Sequence, residues 1–270
     1  MRLHPRAPNP ATSRAEPCYF VVLAVVGGLL TGCGWGDPGG SGGSGGSGDK
    51  ETVHVLAASS LTDVFEELAE VFEEEHPGVE VELSFGSSTD LAEQAADGAP
   101  GDVLATADAA SLAAAGDAVT GDSVLFATNE LVIVTPPDDP GGVSLPSDLA
   151  GTTWVRCADE APCGRVALDV LAEHDVDAEP ASLEEDVRST LDKVVSGEAD
   201  AALVYASDAA SAGEAVRTLE VPGAEEHEAA YFLVALDQAA DRDLAQQWID
   251  LVTTPAVGGE ALEAAGFGLP

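Results

Sequence analysis

The stretch TVHVLAASSLTDVFEELAEVFEEEHPGVEVELSFGSSTDLAEQAADG, residues 52–98, decides the fold class. TVHVLAA (52–58) is a short apolar run with β-branched residues, which predicts a strand. SLTDVFEELAEVFEEEH (60–76) carries apolar residues at helical spacing, and VEVELSF (79–85) alternates strictly as a half-buried strand does. STDLAEQAADG (88–98) predicts a short helix with glycine at its end. Strand, helix, strand, helix in close succession argues for βαβ units and a parallel sheet.

The alternation continues on both sides of a turn-rich break. DVLATA (102–107) predicts a third strand and DAASLAAAG (108–116) a third helix. ELVIVTP (130–136) opens a second set, followed by PPDDPGG. TTWVRC (152–157), ADAALVYA (199–206) and HEAAYFLVAL (227–236) predict further strands. GRVALDVLAEHD (164–175), EDVRSTLDKVVSG (185–197) and two segments near 241–252 and 255–265 predict helices. No repeat of 20–50 residues is present.

Ahead of this body the sequence has another character. Arg2, Arg6 and Arg14 precede an uncharged apolar run, Tyr19 to Leu30. That run is short of the ~20 residues a membrane-spanning helix needs but suits an export signal. It closes on Leu30-Thr31-Gly32-Cys33, which resembles the lipobox of bacterial lipoproteins. The resemblance implies cleavage before Cys33 and a lipid on its sulfur. Gly34 to Gly48 is too poor in apolar residues to order and reads as a flexible tether. The expected organisation is therefore a signal peptide (1–32) and a lipidated cysteine with its tether (33–50). The location would be extracytoplasmic, at the outer face of the cell membrane.

Cleavage there would remove three arginines and Glu16, leaving 7 basic and 48 acidic side chains, a net of −41. Such a surface repels nucleic acid and anionic lipid. Of the four cysteines, Cys157 and Cys163 remain unassigned, six apart; outside the cytoplasm that spacing most simply gives a disulfide.

Enzyme and metal signatures are scarce. The five histidines, His4, His54, His76, His174 and His227, are scattered. HEAAY has tyrosine where a zinc site needs a second histidine. DVDAEPASLEED (175–186) has acidic spacing loosely like a calcium loop, but Pro180 stands at the required glycine. No phosphate loop occurs, and the serines of the tether match a nucleophile elbow only through low complexity. Neither a cofactor nor a free metal cation is expected.

Two serine clusters carry more. AASSLTD (57–63) and FGSSTDL (85–91) each follow a strand and open a helix. Either alone is a plausible helix cap. Together they lie where open α/β sheets bind ligands, and free N–H groups with serine hydroxyls form an anion site without a cation. APCGRVALDVL (161–171) is a third helix entry of this kind.

AASSLTDVFEELAEVFEE, SFGSSTDLAEQAADGAPGDVLATAD, EDVRSTLDKVVSGEADAALVYASDA and the closing AGFGLP, in that order, resemble the molybdate-binding proteins of ABC importers over residues 52–270. The resemblance implies an α/β fold of the two-lobed type II periplasmic binding protein kind, each lobe a mostly parallel sheet flanked by helices. Lobe 1 would comprise 51–129 plus 231–270, lobe 2 130–230, with crossing strands as hinge. It implies a monomer that binds molybdate or tungstate between its lobes and serves an ABC permease, with no chemistry on the anion. Ser60 and Ser88 match ligands giving hydroxyl and N–H, Cys163 and Val187 match backbone N–H donors, and Tyr205 matches a phenol donor. For Val187 to serve, its helix should start near Asp186, not at a Ser182–Glu185 capping box. Another oxyanion such as sulfate, a secreted serine hydrolase using Ser60 or Ser88, and a purely structural surface lipoprotein are the alternatives.

Overall fold

The computed structural model describes residues 51–270, which belong to one compact unit. The signal segment, Cys33 and the Gly/Ser tether lie outside the described residues. Among the described residues no helix is long and apolar enough to cross a membrane.

The chain begins with β1 (Glu51–Ala58), a single 3-10 turn (Ser59–Leu61) and α1 (Thr62–Glu75). It continues with β2 (Val79–Gly86), α2 (Ser88–Ala96), β3 (Val103–Thr106), α3 (Ala109–Ala114) and β4 (Val119–Asn129). Next come β5 (Leu131–Thr135), β6 (Trp154–Cys157), α4 (Pro162–Glu173), β7 (Ser182–Glu184) and α5 (Val187–Val195). Then follow β8 (Ala201–Tyr205), α6 (Ala206–Ala212), β9 (Arg217–Glu220) and β10 (Ala229–Leu236). The last helices are α7 (Arg242–Thr253) and α8 (Glu260–Ala264), with one π-helical turn between them at Pro255–Gly259.

These strands form two five-stranded sheets, ordered β2-β1-β3-β10-β4 and β7-β6-β8-β5-β9. Each is parallel in one half only. β10 runs antiparallel to β3 and β4, and β5 runs antiparallel to β8 and β9. The sheets are thus mixed, but in each a single strand, β10 or β5, runs against the others, in keeping with the mostly parallel sheets that the βαβ pattern suggested. The antiparallel half comes from the segments that pass between sheets, β4 to β5 and β9 to β10, which the helix–strand alternation does not describe.

Apolar residues explain the layers. β3, β5 and β8 are buried along their whole length, as strands covered on both faces must be. α1 turns Val64, Phe65, Leu68, Ala69 and Phe72 inward, an i, i+3/i+4 stripe. Phe65 and Phe72 meet the Trp248 indole of α7 edge-on at 5.5 and 5.6 Å. Truncating such a residue to alanine costs about 3–5 kcal/mol.

Register then places the site. Ala58 at the end of β1 pairs with Gly86 at the end of β2, so the two serine clusters emerge side by side. In the second sheet Cys157, ending β6, pairs with Glu184, ending β7. Tyr205 ends the neighbouring β8.

Candidate functional site between the two sheets

Ser60, Ser88, Cys163, Val187 and Tyr205 all line one cavity, together with Ser59, Ser87, Pro162 and Asp186. No lysine, arginine or histidine lines it. The first two residues come from the first sheet's helix entries and the other three from the second sheet.

Each entry leaves donors free. Ser88 is the first residue of α2 and Val187 of α5; Pro162 begins α4, so Cys163 is its second residue. First-turn N–H groups have no i−4 carbonyl, so all three are available to an anion. Asp186 caps α5 by accepting from the Ser189 N–H at 2.8 Å, and Ser182–Glu184 is extended. The helix therefore starts where Val187 can contribute. The same cap turns Asp186, the single carboxylate lining the cavity, onto its own helix.

The hydroxyls are oriented as well. The Ser88 Oγ accepts from the Ala107 N–H at 3.0 Å, which leaves its proton for the cavity. The Ser60 Oγ lies 2.8 Å from the Tyr231 hydroxyl. The Tyr205 hydroxyl is buried without a hydrogen-bond partner, and burial pushes its phenol well above the usual range, so it is a neutral donor. A buried unpaired donor costs about 1–3 kcal/mol unless something accepts from it. A bound anion is such an acceptor.

Cys157 and Cys163 are joined by a disulfide, with Cα atoms 5.8 Å apart. It ties the end of β6 to the first turn of α4. Gly164 follows, and a Cβ there would sit 1.8 Å from the Ala158 carbonyl oxygen, so only glycine lets the helix start so close to β6.

Two arginines outside the cavity span the cleft, and the motif reading did not single them out. Arg165 of α4 pairs with Asp108 at 2.7 Å and donates to the Ser111 hydroxyl at 2.9 Å. Arg188 of α5 is ion-paired with Asp63 of α1. Thr89 adds a third bridge, donating to the Glu160 carbonyl at 2.7 Å. Their signal in the sequence is positional: each arginine stands near the start of its helix, the unfavourable end of the dipole for a cation.

Known proteins resemble this chain over nearly all of the described residues. Residues 53–268 match the family model of bacterial extracellular solute-binding proteins. Molybdate-binding protein ModA of Mycobacterium tuberculosis is 34% identical over 255 residues, covering 93% of this chain and 97% of the relative. The chain belongs to this solute-binding family, alongside ModA. The Escherichia coli ModA is 29% identical over 238 residues, 81% of this chain and 90% of that one. Among solved structures, the Azotobacter vinelandii periplasmic molybdate-binding protein superposes with a TM-score of 0.70 at 24% identity, covering 81% of this solute-binding protein and 99% of that chain. The sulfate-binding protein SubI of M. tuberculosis superposes at 0.68 with 18% identity, covering 80% and 86%. At these identities the superpositions speak for the fold.

Proposed function

We propose that this protein captures molybdate, and equally tungstate, outside the membrane and delivers it to the permease of an ABC importer. Lipid on Cys33 would hold it at the membrane's outer face. Ser60, Ser88, Cys163, Val187 and Tyr205 would hold the oxyanion through hydroxyl and backbone N–H donors, without chemistry on it. The observation that carries this reading is the buried, unpartnered Tyr205 hydroxyl facing a cavity ringed by free first-turn N–H groups.

The chain's net charge of −39 opposes anion capture at long range. Exposed charges farther than about 10 Å are screened at 0.1 M salt, whereas donors in the cavity act at contact. Hydrogen bonds to a charged group contribute about 1.5–3 kcal/mol each, and several converge. Local dipoles prevail over distant charge.

A donor set suits molybdate, tungstate and sulfate, which are fully deprotonated near neutral pH. Hydrogenphosphate needs an acceptor for its own proton. Isothermal titration with the four anions tests the assignment. The expected order is molybdate about equal to tungstate, sulfate well behind and phosphate last. Phosphate binding as tight as molybdate would overturn it.

A further inference from the structure

Three consecutive hydroxyls stand at the entry to α2, and two of them have partners in the protein. The Ser88 Oγ accepts from the Ala107 N–H, and the Thr89 Oγ1 donates across the cleft to the Glu160 carbonyl. Ser87 differs. It is the N-cap of α2, with φ −61° and ψ 129°, and its carbonyl accepts the first helical bond, from the Leu91 N–H at 3.0 Å. A serine in that position ordinarily turns its hydroxyl onto the N–H of the second or third helical residue. Asp108, Asp186 and Asp241 do so with their carboxylates at the starts of α3, α5 and α7. The Ser87 hydroxyl makes no capping bond, and no hydrogen bond to any other group among the described residues.

Ser87 is nevertheless buried, 8% exposed, and lines the anion cavity beside Ser88. Register sets it one residue beyond Gly86, which pairs with Ala58, so it stands next to the Ser59-Ser60 turn. A buried hydroxyl without a partner is unfavourable unless something accepts from it. Withholding the cap also leaves the first-turn N–H groups of α2 open. We infer that Ser87 is a further ligand of the anion, giving its hydroxyl as a donor alongside the five residues assigned above. This rests on the oxyanion reading. The start of α2 then meets the anion with two hydroxyls, Ser87 and Ser88, and with N–H groups that no side chain occupies.

Substitution at Ser87 tests it, with molybdate as probe and two readouts, titration calorimetry and urea unfolding without the anion. Ser87→Ala and Ser87→Gly should each weaken molybdate binding about tenfold, the loss expected when one hydrogen bond to an ion is removed. Neither should lower the ligand-free unfolding midpoint, because the hydroxyl caps nothing. A capping serine behaves otherwise: alanine in its place destabilises the helix, whereas glycine is tolerated nearly as well. The glycine variant therefore decides. Molybdate affinity as tight as that of the wild type in Ser87→Gly would overturn the inference while leaving Ser60 and Ser88 as ligands. A fall in ligand-free stability confined to Ser87→Ala would then mark Ser87 as a helix cap. Failure of the unsubstituted protein to bind molybdate, tungstate or sulfate would overturn the oxyanion reading, and this inference with it.

Discussion

Val187, the first residue of α5 and so without an i−4 carbonyl for its N–H, lines the cavity, and Arg188, the next residue, is ion-paired with Asp63 on the opposite side of the cleft. The same pairing recurs at α4, where Cys163 lines the cavity and Arg165 reaches Asp108 and Ser111. In both helices the residue proposed to meet the anion and the residue that bridges the cleft belong to one first turn or its edge. On the proposed function, that adjacency would couple anion binding to lobe closure. An anion drawing the N–H groups inward would bring the arginines into range, and the arginines would hold the N–H groups on the anion.

The clasps should therefore act mainly on release. Arg165→Ala breaks an ion pair that is partly exposed, which limits the contribution to about 0.2–1 kcal/mol, whereas Arg188→Ala also removes the cation beside the fully buried Asp208. Molybdate affinity should fall about two- to fivefold in Arg165→Ala and at least as much in Arg188→Ala, with dissociation in stopped-flow accelerating by the same factor. The effect should shrink at high salt. Unchanged dissociation rates in both variants would remove the clasps from the closing mechanism.

Most helices and the central strands of both sheets were legible because their apolar spacing is regular, as in α1 and β1. The site serines were legible because they sit between a strand and a helix. β4 escaped: its exposed half, Thr120-Gly121-Asp122-Ser123, is polar, it holds a positive-φ glycine at Gly121, and its pairing to β10 shifts register. β7 and β9 are short edge strands of three and four residues with little buried surface to mark them. α6 follows β8 without a break, so no turn residue announces it.

The Cys157–Cys163 link should matter more to the site than to the fold. Its loop is short, so the entropic stabilisation is about 2–3 kcal/mol or less. What it controls is the first turn of α4, where Cys163 presents its N–H and Gly164 packs against Ala158. Replacing both cysteines by serine should lower molybdate affinity several-fold while the protein stays folded by circular dichroism. Gly164→Ala should do the same with the disulfide intact, since the added methyl must push the helix start away. Full affinity in both variants would show that the turn holds without them.

Asp208 supplies a pH signature. It is fully buried in the first turn of α6, and burial raises its carboxyl to about 7 against the partly compensating attraction of Arg188. The Arg188 Nε lies 2.8 Å from its Oδ1 but is misaligned for a hydrogen bond; Asp186 and Asp63 add repulsion. Between about pH 4 and 7 the folded protein holds a proton that the unfolded chain has released. Stability from this group therefore falls as pH rises through that window and levels off above it. Urea unfolding of the wild type and Asp208→Asn at intervals from pH 4.5 to 8 should show their difference changing by a few kcal/mol, on the order of 1.4 per unit. A difference constant with pH would place the Asp208 carboxyl at its ordinary value.

Tyr205 separates binding from packing most cleanly. Its ring is buried at the end of β8 and meets Tyr231 edge-on at 6.1 Å, so a purely structural role would reside in the ring. Its hydroxyl has no partner within the protein. Tyr205→Phe keeps the ring and removes only the group aimed at the anion. Unfolding of the ligand-free variant should therefore match the wild type within about 0.5 kcal/mol. Binding should weaken by about 1.5–3 kcal/mol, tenfold or more, because a hydrogen bond to a charged group is lost. Added molybdate stabilises the folded state by RT ln(1 + [L]/Kd), so at a fixed saturating concentration its stabilisation should drop by that same amount. The two measurements use one protein and one denaturation curve, with and without the anion. A variant destabilised without ligand but stabilised by molybdate as fully as the wild type would make Tyr205 a packing residue and move the phenol donor out of the site.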